Sequence, residues 1–298
     1  MVTLGAIATA PLKAQREGDK NGKSIVFLGV LWFAVLFAVV CLATLLVTAF
    51  VDGSTRLDAN LFTRYSSIVL PERAGARAAI LGSALVIVTT AVMAIPLGVA
   101  AAIYLEEFAD SKRWYNKVIE VNLTNLAAVP AIVYGMLTAG VALSIGMPRR
   151  VVLAGAIALA LLILPVVIIT TREAIRAVPQ EIRQGSLALG ATPLQTVWRQ
   201  TLPSAVPGIA TGSILALSRA LGEAAPLLLL GGLVFVSYDP NGLMSGFTTL
   251  PIQIYNWAKE PQLAFQQVAS AAIIVMLALL LLMNTLAIII RNRYQKRW

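Results

Sequence analysis

Residues 151–171 read VVLAGAIALALLILPVVIITT, a run without one charged side chain. A helix rises about 1.5 Å per residue and must cross about 30 Å of hydrocarbon, so about 20 apolar residues make one crossing. The run Val151–Thr171 therefore reads as a membrane-spanning helix, and the rest of the chain repeats the pattern. Comparable runs cover Ile25–Phe50, Ala78–Leu105, Val121–Gly146 and Gln266–Ile290. A sixth, Ala205–Leu233, is as long but carries Arg219, Glu223 and several glycines. The expected fold is an all-α integral membrane protein with six transmembrane helices.

Composition agrees. The 298 residues are 58% hydrophobic and 12% charged, against about 45–50% and 25% in soluble domains. That much apolar surface needs lipid as its solvent. There is no histidine and one cysteine, Cys41, which largely excludes disulfides, zinc sites and His-based catalysis. Cys41 sits in an apolar run and is expected as a small buried hydrophobe. The formal charge of +9 is spread over short loops rather than one stripe, so membrane lipid, not nucleic acid, is the expected surface partner.

The first run exceeds the 7 to 15 apolar residues of a cleaved signal peptide and reads as a retained helix, 25–50. Residues 1–24, with Gly5, Pro11, Gly18 and Gly22, read as a flexible tail. Within it Gly18–Ser24 imitates a phosphate loop, but Glu17 stands where a glycine is required and no strand precedes it. No ATP site is expected on this chain. Basic residues concentrate in both tails, around Arg113 and between Arg172 and Arg199, with fewer than half as many in the alternate loops. Cytoplasmic loops retain Lys and Arg, so both termini, including the basic tail 291–298, are expected inside.

The loop 172–203 reads REAIRAVPQEIRQGSLALGATPLQTVWRQTLP, long enough to suggest a task. Pro179 can start a helix, Gly190-Ala-Thr-Pro193 can turn the chain, and Leu194–Leu202 can form a second short helix. Two short surface helices suit docking. This stretch resembles the cytoplasmic signature of bacterial ABC importer permeases: Glu-Ala-Ala, three residues, Gly, nine residues, Ile-x-Leu-Pro. Gln184, Gly185 and Ser186 occupy the Glu-Ala-Ala positions, Gly190 is the glycine, Gln200 replaces Ile, and Leu202-Pro203 close the motif. The resemblance implies that these residues couple the chain to an ATPase, with the neutral Gln184 departing from the usual glutamate.

In the sixth run, Arg219 and Glu223 stand four residues apart, on one helix face and able to pair. A charge at mid-membrane costs about 2.5–3.5 kcal/mol on insertion scales, so both should face protein or water. Gly208 and Gly212 share their stripe, which points the pair toward a helix interface. Pro226 frees the carbonyl of Gly222 and should break the helix beside the pair, a feature tolerated where it lines a cavity. Arginine's planar fork matches an oxyanion and stays charged, so Arg219 is the candidate anion ligand, and Glu223 would hold its geometry. These residues alone do not choose phosphate over sulfate or a carboxylate, nor exclude a structural ion pair.

Arg219–Pro226 is similar to the Arg-Ala-x-Gly-Glu-Thr-Ala-Pro stretch of phosphate importer permeases of the PstA type, with Ala224 in place of threonine. Asn125–Gly135 and Leu250–Ala258 also resemble segments of that family. The resemblance implies an ABC importer type I (MetI-like) permease core of five helices, within 78–290, plus the N-terminal helix. It further implies a bacterial inner-membrane assembly with a second permease of the PstC type, two PstB-type ATPases carrying ATP and Mg, and an external PstS-type phosphate-binding protein. An ion-coupled secondary transporter should show internal repeats and more intramembrane carboxylates, and neither is clear here. A membrane-embedded enzyme would need a second catalytic group beside Glu223, and none accompanies it.

Overall fold

The computed structural model describes residues 22–110, 113–232 and 235–294. Residues 1–21 of the tail read over 1–24, with most of its phosphate-loop imitation, lie outside the described residues, as do Lys112 and residues 295–298. Regular structure among the described residues is helical, apart from one isolated antiparallel bridge between Val151 and Gly246. The chain divides into two units between Thr48 and Ala49.

The described part of the first unit is helical, the body of α1 (Gly22–Ser54), which begins inside the stretch read as a tail. Its apolar side chains are exposed, and Cys41 is exposed with them rather than buried. Lipid is as apolar as a leucine side chain, so a membrane helix needs no protein cover to satisfy such residues.

The second unit is built on four long helices: α3 (Arg77–Ile103), α6 (Val152–Arg176), α9 (Leu202–Gly222) and α12 (Leu263–Tyr294). Short α2 (Ala59–Thr63) precedes them, and between them come α4 (Trp114–Ala127), α5 (Ala131–Ser144), α7 (Gln180–Ala188), α8 (Pro193–Thr196), α10 (Ala225–Leu229) and α11 (Leu250–Ala258). α6 is central, packed by α3 and α9, and α12 closes on α9. Small residues let these backbones approach where the hydrophobic effect gives no drive between helices. Ala154, Ala156, Ala158, Leu159, Ile163 and Val167 on α6 are accordingly buried. α12 runs through Arg291 and Arg293, so the first half of the expected basic tail is helical.

The run 121–146, expected as one span, is instead α4 and α5 bent by 106°. Pro130 offers no N–H and biases Val129 away from helix, which ends α4. α4 itself carries Asn116, Lys117, Glu120, Asn122 and Asn125 and is too polar to continue a crossing. Tyr134 donates its phenol proton to the Leu126 carbonyl at 2.7 Å and ties the two limbs. Among the described residues, five helices are long and apolar enough to cross a membrane, six if the bent pair counts as one.

Candidate functional site

α9 packs on α6 through its first half, where Gly208 lies against Ala174 and Gly212 against Thr170. Above Gly212 the same stripe leaves that contact. The helix stops at Gly222, Glu223 takes extended angles (φ −82, ψ 111), and α10 restarts with Pro226 in its first turn. The break expected beside the pair is therefore present. Arg219 Nε stands 3.6 Å from Glu223 Oε1, with the side chains 55% and 25% exposed. The pair opens onto the surface of this chain rather than onto its internal helix interface. The buried positions of that turn belong to Ala216, Leu217, Ser218, Ala220 and Leu221. An ion pair this long and this open is loose. Arginine has five N–H donors, so most of the fork remains for an incoming anion.

The loop 172–203 takes a different form from two separate short helices. Pro179 precedes α7, and at its end Gly190 turns the chain with φ +84. Thr192 and Gln195 then form a reciprocal cap, with 3.3 and 3.0 Å bonds, that starts α8. α8 does not stop: a π-turn, Val197–Thr201, carries it into α9, so that Pro193–Gly222 is one helix of 30 residues. The π-turn satisfies the Leu202 N–H on the Val197 carbonyl and absorbs the disruption of Pro203, so Leu202 and Pro203 lie inside the helix rather than closing a loop. Gln184 and Gly185 are exposed on α7, while Ser186 Oγ lies 2.9 Å from Thr196 Oγ1 and joins α7 to α8. Between them runs a groove of about 410 Å3, lined by Ile182, Gly185, Ser186, Leu189, Gln195 and Arg199 among others, with Leu189 91% exposed at its rim.

Arginines of α6 and α7 meet carboxylates that the sequence reading did not single out. Glu106 and Glu107 end the α3 run in a π-turn, Tyr104–Phe108, and bind Arg172, Arg176 and Arg183. Two adjacent acids closing an apolar run were the available signal that cations must meet them, though the sequence does not say which.

Residues 94–298 match the family model described as binding-protein-dependent transport system inner membrane component. The chain belongs to that family. This inner-membrane component is 32% identical to the phosphate transport system permease protein PstA of Yersinia pestis over 293 residues, 97% of this chain and 98% of that one. It is 32% identical to the PstA of Mycobacterium leprae (strain TN) over 275 residues, 90% and 87% of the two chains. Among solved structures, a chain of a bacterial alginate ABC transporter aligns with a TM-score of 0.61 at 18% identity, over 92% of this chain and 94% of that one. A chain of the MetNI methionine ABC transporter, in an inward-facing conformation, aligns at 0.57 and 15%, over 72% and 94%. At such identities the likeness is one of fold, and the fold is that of a MetI-like ABC importer permease.

Proposed function

We propose that this chain forms half of the transmembrane pathway of an ATP-driven importer of inorganic phosphate in a bacterial inner membrane. The observation that carries the reading is Arg219: a permanently charged, half-exposed guanidinium at a break in a membrane helix, partnered only loosely by Glu223. Such a group is expensive in hydrocarbon and useful beside an oxyanion, whose geometry the planar fork fits with parallel hydrogen bonds. Kinship with permeases named for phosphate transport supports phosphate among the oxyanions.

In this reading the exposed side of Arg219 faces a second permease of the PstC type, so that the pathway lies between the two chains. Both termini are cytoplasmic. α7 and the Gly190 turn, with Gln184, Gly185 and Ser186, meet one of two PstB-type ATPases, which hold the ATP and Mg2+. A PstS-type protein delivers phosphate from outside. The two permeases alternate between outward and inward exposure of the site, and each ligand shifts that balance only by its differential affinity for the two states.

Proteoliposomes containing the assembled complex test this directly. With ATP inside and loaded binding protein outside, labelled phosphate should accumulate, and Arg219→Gln should abolish accumulation while the complex still assembles. Uptake of sulfate instead, or unchanged phosphate uptake by the variant, would overturn the assignment.

A further inference from the structure

α3 is tied at both ends to elements outside itself. At one end Glu107 Oε1 accepts from Arg183 Nη2 of α7 at 2.9 Å, and the same Nη2 donates to the Ile175 carbonyl at 2.8 Å. The Glu107 and Arg183 side chains are only 12% and 20% exposed, so water screens the pair weakly. Next to it, Glu106 takes Arg176 on Oε1 at 2.6 Å and Arg172 on Oε2 at 3.1 Å, and Arg172 also reaches Glu120 of α4 at 3.0 Å. The π-turn aims these two consecutive acids at different partners, α6 for one and α7 for the other. At the opposite end Arg77 clasps Asp239 with two bonds, of 3.0 and 2.5 Å. There Ser83 Oγ also accepts from the Leu250 N–H at 2.9 Å, where α11 begins.

α7 has covalent continuity with α6 before it and with the α8–α9 helix after it, but none with α3. The Glu107–Arg183 bond supplies a direct polar connection between them, beside the apolar cluster around Ile175 against which Ile182 of α7 and Val99 and Ile103 of α3 all pack. From the geometry we infer that α3 is a second transmission rod: Glu107 and Arg183 are positioning residues that carry the movement of the docking helix α7 to the far end of α3, where Arg77 and Ser83 pass it to Asp239 and α11. The inference rests on the reading of α7 as the ATPase contact and not on the identity of the cargo.

The test is hydrogen–deuterium exchange on the whole complex, compared without nucleotide and with ATP trapped on an ATPase unable to hydrolyse it. In the wild type, ATP should change exchange at the far end of α3 and at residues 248–250. Glu107→Gln and Arg183→Gln should each reduce that change at least about fivefold, the low end of ordinary site-to-site couplings. The double variant should be no worse than either single, because both remove one interaction. Arg183→Lys, which keeps the charge against Glu107, should retain most of the response and serves as the variant least likely to disturb folding. A full ATP response in Glu107→Gln, additive losses in the double variant, or equal loss in Arg183→Lys and Arg183→Gln would overturn the inference. Labelled-phosphate uptake by the wild-type complex separately tests the cargo: a complex that moves another anion leaves the exchange result standing.

Discussion

A methyl group on Gly135 would stand 2.6 Å from the carbonyl oxygen of Pro226, so α5 and α10 meet backbone to backbone at this point. Glu223 lies three residues before Pro226, and the restart of the chain as α10 therefore has its position set by α5. Gly135→Val should push α10 away, costing roughly 1–3 kcal/mol as an overpacked contact. Because the displaced segment begins beside Glu223, the variant should raise the KM for phosphate uptake more than it lowers the thermal midpoint of the purified complex. An unchanged KM would show that the α5–α10 contact does not set the pair.

Gly190 has φ +84 with open space around it, so a side chain there is opposed by backbone strain alone. Left-handed backbone costs a non-glycine residue about 1–3 kcal/mol. Gly190→Val should relieve that strain by shifting the turn between α7 and α8 and uncouple ATP hydrolysis from transport, leaving basal hydrolysis high. Gly190→Asn, which tolerates this backbone better, should be the milder of the two. Measuring phosphate moved per ATP hydrolysed in both variants checks the order.

Arg219→Lys separates charge from shape. Lysine keeps one positive charge but lacks the planar fork that donates two parallel bonds. Uptake should survive with KM raised about tenfold, the value of one charge-assisted hydrogen bond of roughly 1.5 kcal/mol, measured in the same proteoliposomes. Wild-type kinetics would mean that only the net charge at this position matters.

What could be read from the chain in advance was whatever a single segment decides for itself. The length of the uncharged runs gave the spans, Pro226 gave the interruption beside Glu223, and Gly190 gave the turn, because each follows from the hydrogen-bonding limits of one residue. The bend at Pro130 was legible in principle, since Asn122, Thr124 and Asn125 stand inside an otherwise apolar run, but run length outweighed them. The continuity of α8 with α9 was hidden because Pro203 reads as a stop, while a π-turn lets the helix absorb it. The acids at 106 and 107 could not be assigned partners at all: their arginines lie 66 to 76 positions away, and only packing brings them together. The open setting of Arg219 was likewise invisible, since periodicity gives a side chain's direction but not what the neighbouring helix leaves uncovered.

The unbroken helix from Pro193 to Gly222 is about 45 Å long. As a lever pivoted near its middle, it would swing either end by about 2 Å for a tilt of ~5°, simple trigonometry on that length. Arg219 rides on one arm of this lever, and Gln195 and Arg199, which line the groove beside Gly185, ride on the other, so in the proposed importer a tilt at one end is carried to the other. In the proposed importer, loading and firing would then be a single event, and a substitution that softens the π-turn would separate them in time.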